Sequence, residues 1–254
     1  MYSCPEESEL IRRLEGWYAS PLGAELAAQE EACLHRMLSD TFGYYLLQVG
    51  LNGGFGDAVA ASRIRHRILL PPFAGCGAPG LQAAARPEQF PVATDSVDAV
   101  FLPHTLDFAA EPHQVLREAE RVLIPEGRVV VIGFNALSLW GLRRLIPRAK
   151  SRAPWCADFL TPYRVGDWLS LLGFDLEMQE MMMFRPPWRR ALGRRSSFVE
   201  SLGGRFWPMF GGVYAIRAVK RVSTLTPLRP SWKTRRRLLP GRAVEPTARC
   251  SSRV

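Results

Sequence analysis

The segment that most restricts the fold of this 254-residue chain is Arg128-Val129-Val130-Val131-Ile132-Gly133-Phe134. Four consecutive β-branched residues read as a strand. A run apolar at successive positions points to both faces of a sheet at once, so both faces must be buried. Before it, Pro112 to Leu123 carries Val115, Leu116, Ala119, Val122 and Leu123 at helical spacing, with Glu111 near the positive end. Pro125-Glu126-Gly127 reads as the turn between them.

The same alternation extends in both directions. Glu9 to Trp17 and Gly23 to Leu38 read as helices. On the second, with Pro21 at the start, Leu22, Leu26, Glu30, Cys33, Leu34, Met37 and Leu38 fall near one face. Tyr44 to Gly50, Arg67 to Leu70 and Val97 to Leu102 are short apolar runs expected as strands, followed by a helix over Pro162 to Leu172. Phe174 to Met181 and Gly212 to Val219 read as a closing strand pair. Strands alternating with helices predict an α/β fold, a doubly wound, mostly parallel sheet with helices on both faces. The expected organisation is a helical lead-in (1–42), a central domain (43–220) with an Arg/aromatic insertion (184–211), and a basic disordered tail (221–254).

Charge separates the tail from the body. The net charge is +9, and residues 221–254 hold nine Lys/Arg against Glu245, so +8 belongs to the tail and about +1 to the rest. Prolines 227, 230, 240 and 246 and the lack of apolar periodicity predict disorder there. Such a tail suits nucleic acid or an anionic lipid surface, or serves solubility alone. The insertion, with Arg185, Arg189, Arg190, Arg194 and Arg195 among Trp188, Phe198, Phe206 and Trp207, suits a phosphate-bearing substrate, a membrane surface or a solvated loop. Five scattered cysteines (4, 33, 76, 156, 250) contain no C-x-x-C pair. Neither a disulfide framework nor a thiolate metal site is expected, and a reducing, cytoplasmic setting is. No apolar stretch reaches membrane-spanning length.

The stretch from Phe90 to Phe134 carries a resemblance. Ser96-Val97-Asp98 opening a strand, then Leu116-Arg117-Glu118-Ala119-Glu120-Arg121-Val122-Leu123-Ile124-Pro125-Glu126-Gly127, resembles class I S-adenosylmethionine (SAM)-dependent methyltransferases of the type 11, UbiE-like group. Gly133 to Arg143 looks like a bacterial subgroup of methyltransferase-like proteins. The resemblance implies a seven-stranded Rossmann-like sheet, SAM as cofactor and methyl transfer to an acceptor the sequence does not identify. It places the cofactor at the carboxyl ends of the first strands, where the strand order reverses. The family's Gly-x-Gly-x-Gly turn falls on Gly50-Leu51-Asn52-Gly53-Gly54, with Asn52 in place of the middle glycine. Gly50, Asn52, Gly54 and His104 are thereby the cofactor-contacting candidates.

Three positions depart from the family pattern. Gln48 stands where an acid precedes the turn, Leu70-Pro71 end the second strand without the ribose-binding acid, and Arg86 stands near the adenine-facing acid. Glu88 and Asp57 are the nearest acids that can substitute. His104, just past the fourth strand of the family pattern, is a candidate general base or a loop histidine bonded to a carbonyl. Asn135, after the fifth, is a candidate acceptor-site residue with Phe134, Trp140 and Arg143, or a loop cap. Asp98 reads as structural, and Asp107 as a solvated loop acid. The alternative to an enzyme is a catalytically inactive binding module on the same scaffold.

Overall fold

The computed structural model describes residues 5–51, 55–71, 87–146, 152–187 and 207–222. The chain enters through two helices, α1 (Pro5–Tyr18) and α2 (Pro21–Leu38). Ser20 caps α2 by accepting a hydrogen bond from the Gly23 amide at 3.1 Å, and Pro21 supplies a first-turn residue that has no amide to satisfy. Then follow β1 (Phe42–Val49), α3 (Gly56–Ala61), β2 (Arg63–Leu70) and β3 (Val97–Pro103). After the short α4 (Thr105–Phe108) come α5 (Pro112–Val122), β4 (Leu123–Phe134), α6 (Leu139–Arg143), α7 (Pro162–Leu171), β5 (Phe174–Met182) and β6 (Val213–Lys220).

The six strands form one sheet in the order β2-β1-β3-β4-β6-β5. β2, β1, β3 and β4 are parallel, and β6 is antiparallel to both β4 and β5. The closing strand pair is therefore present, with the last strand inserted between β4 and β5. Seven strands were expected. The described residues supply six, and the segment 72–86 between β2 and β3 lies outside them.

Side chains alternate between two cores, as a two-faced strand requires. Leu46, Phe101, Val130, Ile132 and Phe134 pack with α1, α2 and α3 on one face. Leu47, Val49, Val100, Leu102, Val129 and Val131 pack with α5 and α7 on the other. The expected turn at Pro125-Glu126-Gly127 is a bulge inside β4. Leu123 pairs with Val97 and Arg128 with Ala99, and Glu126 takes a positive φ of 65° to absorb the extra residues.

Two polar ties fix α2 and the start of β1. The Arg217 guanidinium on β6 donates to the Met37 carbonyl at 2.7 Å and pairs with Asp40 and Glu177. Asp98 accepts from the Tyr44 and Tyr45 amides, both at 2.9 Å, which is the structural role expected of it. Among the described residues no helix is long and apolar enough to cross a membrane.

Candidate functional site

The strand order reverses between β1 and β3. The chain leaves β1 toward β2, then crosses back to β3, so the loops after β1 and β3 diverge and open a crevice at their carboxyl ends. Gly50 closes β1 at φ +103°, a conformation L side chains rarely adopt. Its amide donates to the Leu70 carbonyl at 3.1 Å, and a Cβ there would lie 2.7 Å from Thr105 Oγ1. That hydroxyl is itself committed to the Val49 carbonyl at 2.5 Å. Gly50→Ala should therefore destabilise the fold by about 2 kcal/mol or more, from backbone strain and the clash together. Urea unfolding checks it; a change under about 0.5 kcal/mol would show the turn to be slack.

His104 is the N-terminal flanking residue of α4, also left-handed at φ 53°. Its imidazole is fully buried. Nε2 lies 2.9 Å from Glu30 Oε1, and Nδ1 lies 2.9 Å from Asp107 Oδ2. Tyr18 donates its hydroxyl to Glu30 Oε2 at 2.8 Å, and the Phe134 amide donates to Asp107 Oδ2 at 3.0 Å. Phe134 faces the imidazole ring at 4.2 Å between centroids. Burial opposes a charge on His104, but the Glu30 and Asp107 carboxylates outweigh it and lift the imidazole to about 9. Burial likewise pushes Asp107 above its ordinary value, against the pull of His104 and the Phe134 amide. Two carboxyls enclose one imidazole, so the cluster as a whole retains protons.

Glu30 and Tyr18 were not among the sequence candidates, and Asp107 was expected in solvent; it is 1% exposed. Asp107 goes inward because α4 turns it back under His104, where it also caps the end of β4. A signal for Glu30 did exist. It shares a helical face with Leu26, Cys33, Leu34 and Met37, and a carboxylate on such a face requires a buried partner.

Among the described residues the crevice is narrow. A space of about 10 Å³ remains between Gly50, Leu51, Pro103, His104, Thr105 and Phe108, with Ile11 and Leu14 of α1 as its roof. That holds about one water molecule. At the end of β2, Leu70 and Pro71 are buried and carry no acid, and the Gln48 amide donates to the Leu51 carbonyl at 2.8 Å. Asn52, Gly54 and Arg86 lie outside the described residues.

Asn135 stands at the carboxyl end of β4, fully buried. Its Nδ2 donates to the Met209 and Gly211 carbonyls at 2.9 and 3.0 Å, and its Oδ1 accepts from the Leu137 amide at 3.0 Å. The side chain thus staples the loop after β4 to the segment before β6. Trp140 is buried and donates Nε1–H to the Arg185 carbonyl at 3.0 Å. Arg143 donates to the Pro187 carbonyl at 3.0 Å and lies 4.2 Å over the Trp155 ring. Met182 and Met183 are core residues. Most of the Arg/aromatic insertion (188–206) and the tail from 223 lie outside the described residues. Among the described residues no group of three or more His, Cys, Asp or Glu is placed to hold a metal ion.

The family profile described as a methyltransferase domain matches residues 74–131. The Escherichia coli (strain K12) protein YafS, described as uncharacterized, is 32% identical over 234 residues, which cover 92% of each chain. Among solved structures, the methyltransferase bound to the Trm112 activator of Haloferax volcanii superposes with a TM-score of 0.60 at 14% identity, covering 87% of this chain and 100% of that one. A SAM-dependent methyltransferase from Thermotoga maritima superposes with a TM-score of 0.57 at 18% identity, covering 84% and 98%. These two likenesses are of fold.

Proposed function

Because the chain belongs to the class I SAM-dependent methyltransferase family, in its type 11 group, we propose that it is a SAM-dependent methyltransferase whose cofactor crevice opens only when α1 withdraws. The observation that carries this is the place of Gly50. It turns at positive φ where the strand order reverses, and Thr105 Oγ1 packs so close that only a glycine fits there.

The fit to SAM divides along the molecule. The bare Cα of Gly50 suits the methionine end; Asn52 and Gly54, the other candidates for that end, lie outside the described residues. The adenosine end meets no carboxylate at the close of β2, and the space of about 10 Å³ is far below the several hundred a cofactor of that size needs. When bound, SAM supplies an electrophilic methyl group. The chain's own part is to position and to exclude water. Ile11 and Leu14 cover the crevice, and the Thr105 bond to Val49 stiffens the turn. His104, a candidate for both base and cofactor contact, holds its proton between two carboxylates in this arrangement. Its role in the proposal is to anchor α2, and through Glu30 and Tyr18 α1, over the crevice. Asn135 shapes the acceptor side by fixing the loop after β4.

The narrow crevice and the acid-free end of β2 favour a second reading, a scaffold that no longer turns over. Calorimetry with SAM and with its demethylated product separates the two. The enzyme reading expects binding weaker than about 0.1 mM, since each missing hydrogen-bond partner costs about 1–3 kcal/mol. No heat and no thermal shift at millimolar ligand would remove it and leave the non-catalytic scaffold. The acceptor, a cytoplasmic location and contact of the basic tail with nucleic acid or anionic lipid belong to the proposal as well.

A further inference from the structure

The rim beyond β4 has a composition the crevice does not use. Leu142, Leu145 and Ile146 are 56%, 72% and 55% exposed, with Leu139 beside them. Met209 and Phe210, also about half exposed, stand on the segment that Asn135 ties to the base of this loop. These side chains do not turn inward, because the space beneath α6 is taken by Trp140, buried and hydrogen-bonded to Arg185. Ser138 caps α6 through the Gly141 amide at 3.1 Å, so the outward face is held in place.

Cations predominate on this rim. Its described charged residues are Arg143, Arg144 and Arg152, with Asp158 against them. Arg144 is paired with Asp158. Apolar side chains at the surface, interleaved with cations, fit the boundary of an anionic bilayer. The leucines enter the acyl margin, and the basic groups stay at the phosphate level. A second copy of the chain would set the same excess of cations against itself. A nucleic acid would satisfy the cations and leave the aliphatic side chains in water. We propose that the rim formed by α6, the turn after it and residues 209–210 docks this protein on anionic lipid membranes. The inference does not depend on methyl transfer.

The test is sedimentation of the full chain with sucrose-loaded vesicles of phosphatidylcholine, with and without phosphatidylglycerol. Wild type should partition onto the anionic vesicles and weaken as salt rises. The neutral double variant Leu142→Gln/Leu145→Gln keeps every charge and should bind at least about tenfold more weakly. Circular dichroism and a thermal melt check its folding, and Leu142→Ala/Leu145→Ala is the second variant. No partition of wild type overturns the proposal. So does undiminished binding of both variants, which would assign the contact to other basic segments. A wild-type dimer in sedimentation velocity that the variants dissolve would make the rim a self-interface and overturn it too.

Discussion

Leu14→Ala is expected to tighten apparent SAM binding by about tenfold to a hundredfold relative to wild type. Leu14 is fully buried and forms part of the roof over the crevice. Truncating such a leucine typically costs about 2–5 kcal/mol. Here part of that cost falls on the docking of α1 against α2 and α4 rather than on the sheet, so it favours the form with α1 lifted. If only that form admits the cofactor, apparent affinity rises with its population, about tenfold for each 1.4 kcal/mol. Stability and affinity thus move in opposite directions. Calorimetry of both proteins at one temperature reads the affinity, and a denaturant titration reads the stability. Equal SAM affinity in the two would show that α1 does not gate the crevice. Binding by neither at millimolar ligand would instead remove the enzyme reading.

The second large effect concerns the buried cluster. Glu30→Ala should cost about 3–5 kcal/mol, because it leaves a buried imidazolium with one of its two carboxyl partners and strands the Tyr18 hydroxyl. The pH dependence identifies the group responsible. The folded His104 sits at about 9, above the unfolded value near 6.5. Its contribution is therefore fully present below about pH 6.5 and is lost as pH rises through about 9. The interval corresponds to about 3 kcal/mol, or roughly 6–12 °C in Tm for a protein of this size. His104→Gln should be less stable at pH 6 and should show a nearly flat profile between pH 6.5 and 9. A wild-type profile that is flat there, or a variant that keeps the wild-type slope, would place the proton elsewhere.

The two effects meet in one connection. Tyr18 lies at the end of α1, Glu30 in the middle of α2 and His104 on the carboxyl end of β3. The hydrogen bonds among them join the N-terminal helices to the crevice. Loss of the Glu30 carboxylate should therefore also loosen α1, in the same sense as Leu14→Ala and with a larger cost to the whole fold.

The local pattern decided a great deal. Unbroken apolar runs located the strands, because successive side chains point to opposite faces and both faces of this sheet are covered. Period 3.6 with Pro21, Pro112 and Pro162 at helix starts located the helices. The charge of the tail, the absence of acid at the end of β2 and the glycine that closes β1 were also visible, since each is a property of residue type at a position. Three things were not. β6 lies between β4 and β5 because long-range pairing, which no local pattern states, selects its neighbours. The turn at Glu126 became a bulge because β3 and β4 pair on both sides of it. The fate of His104 was decided by tertiary structure alone. Its partners come from 74 residues earlier and three residues later, and only packing α2 across the sheet brings the carboxylates close enough to hold its proton. A charge's meaning depends on its neighbours in space, and those neighbours were set by the burial of apolar faces around it.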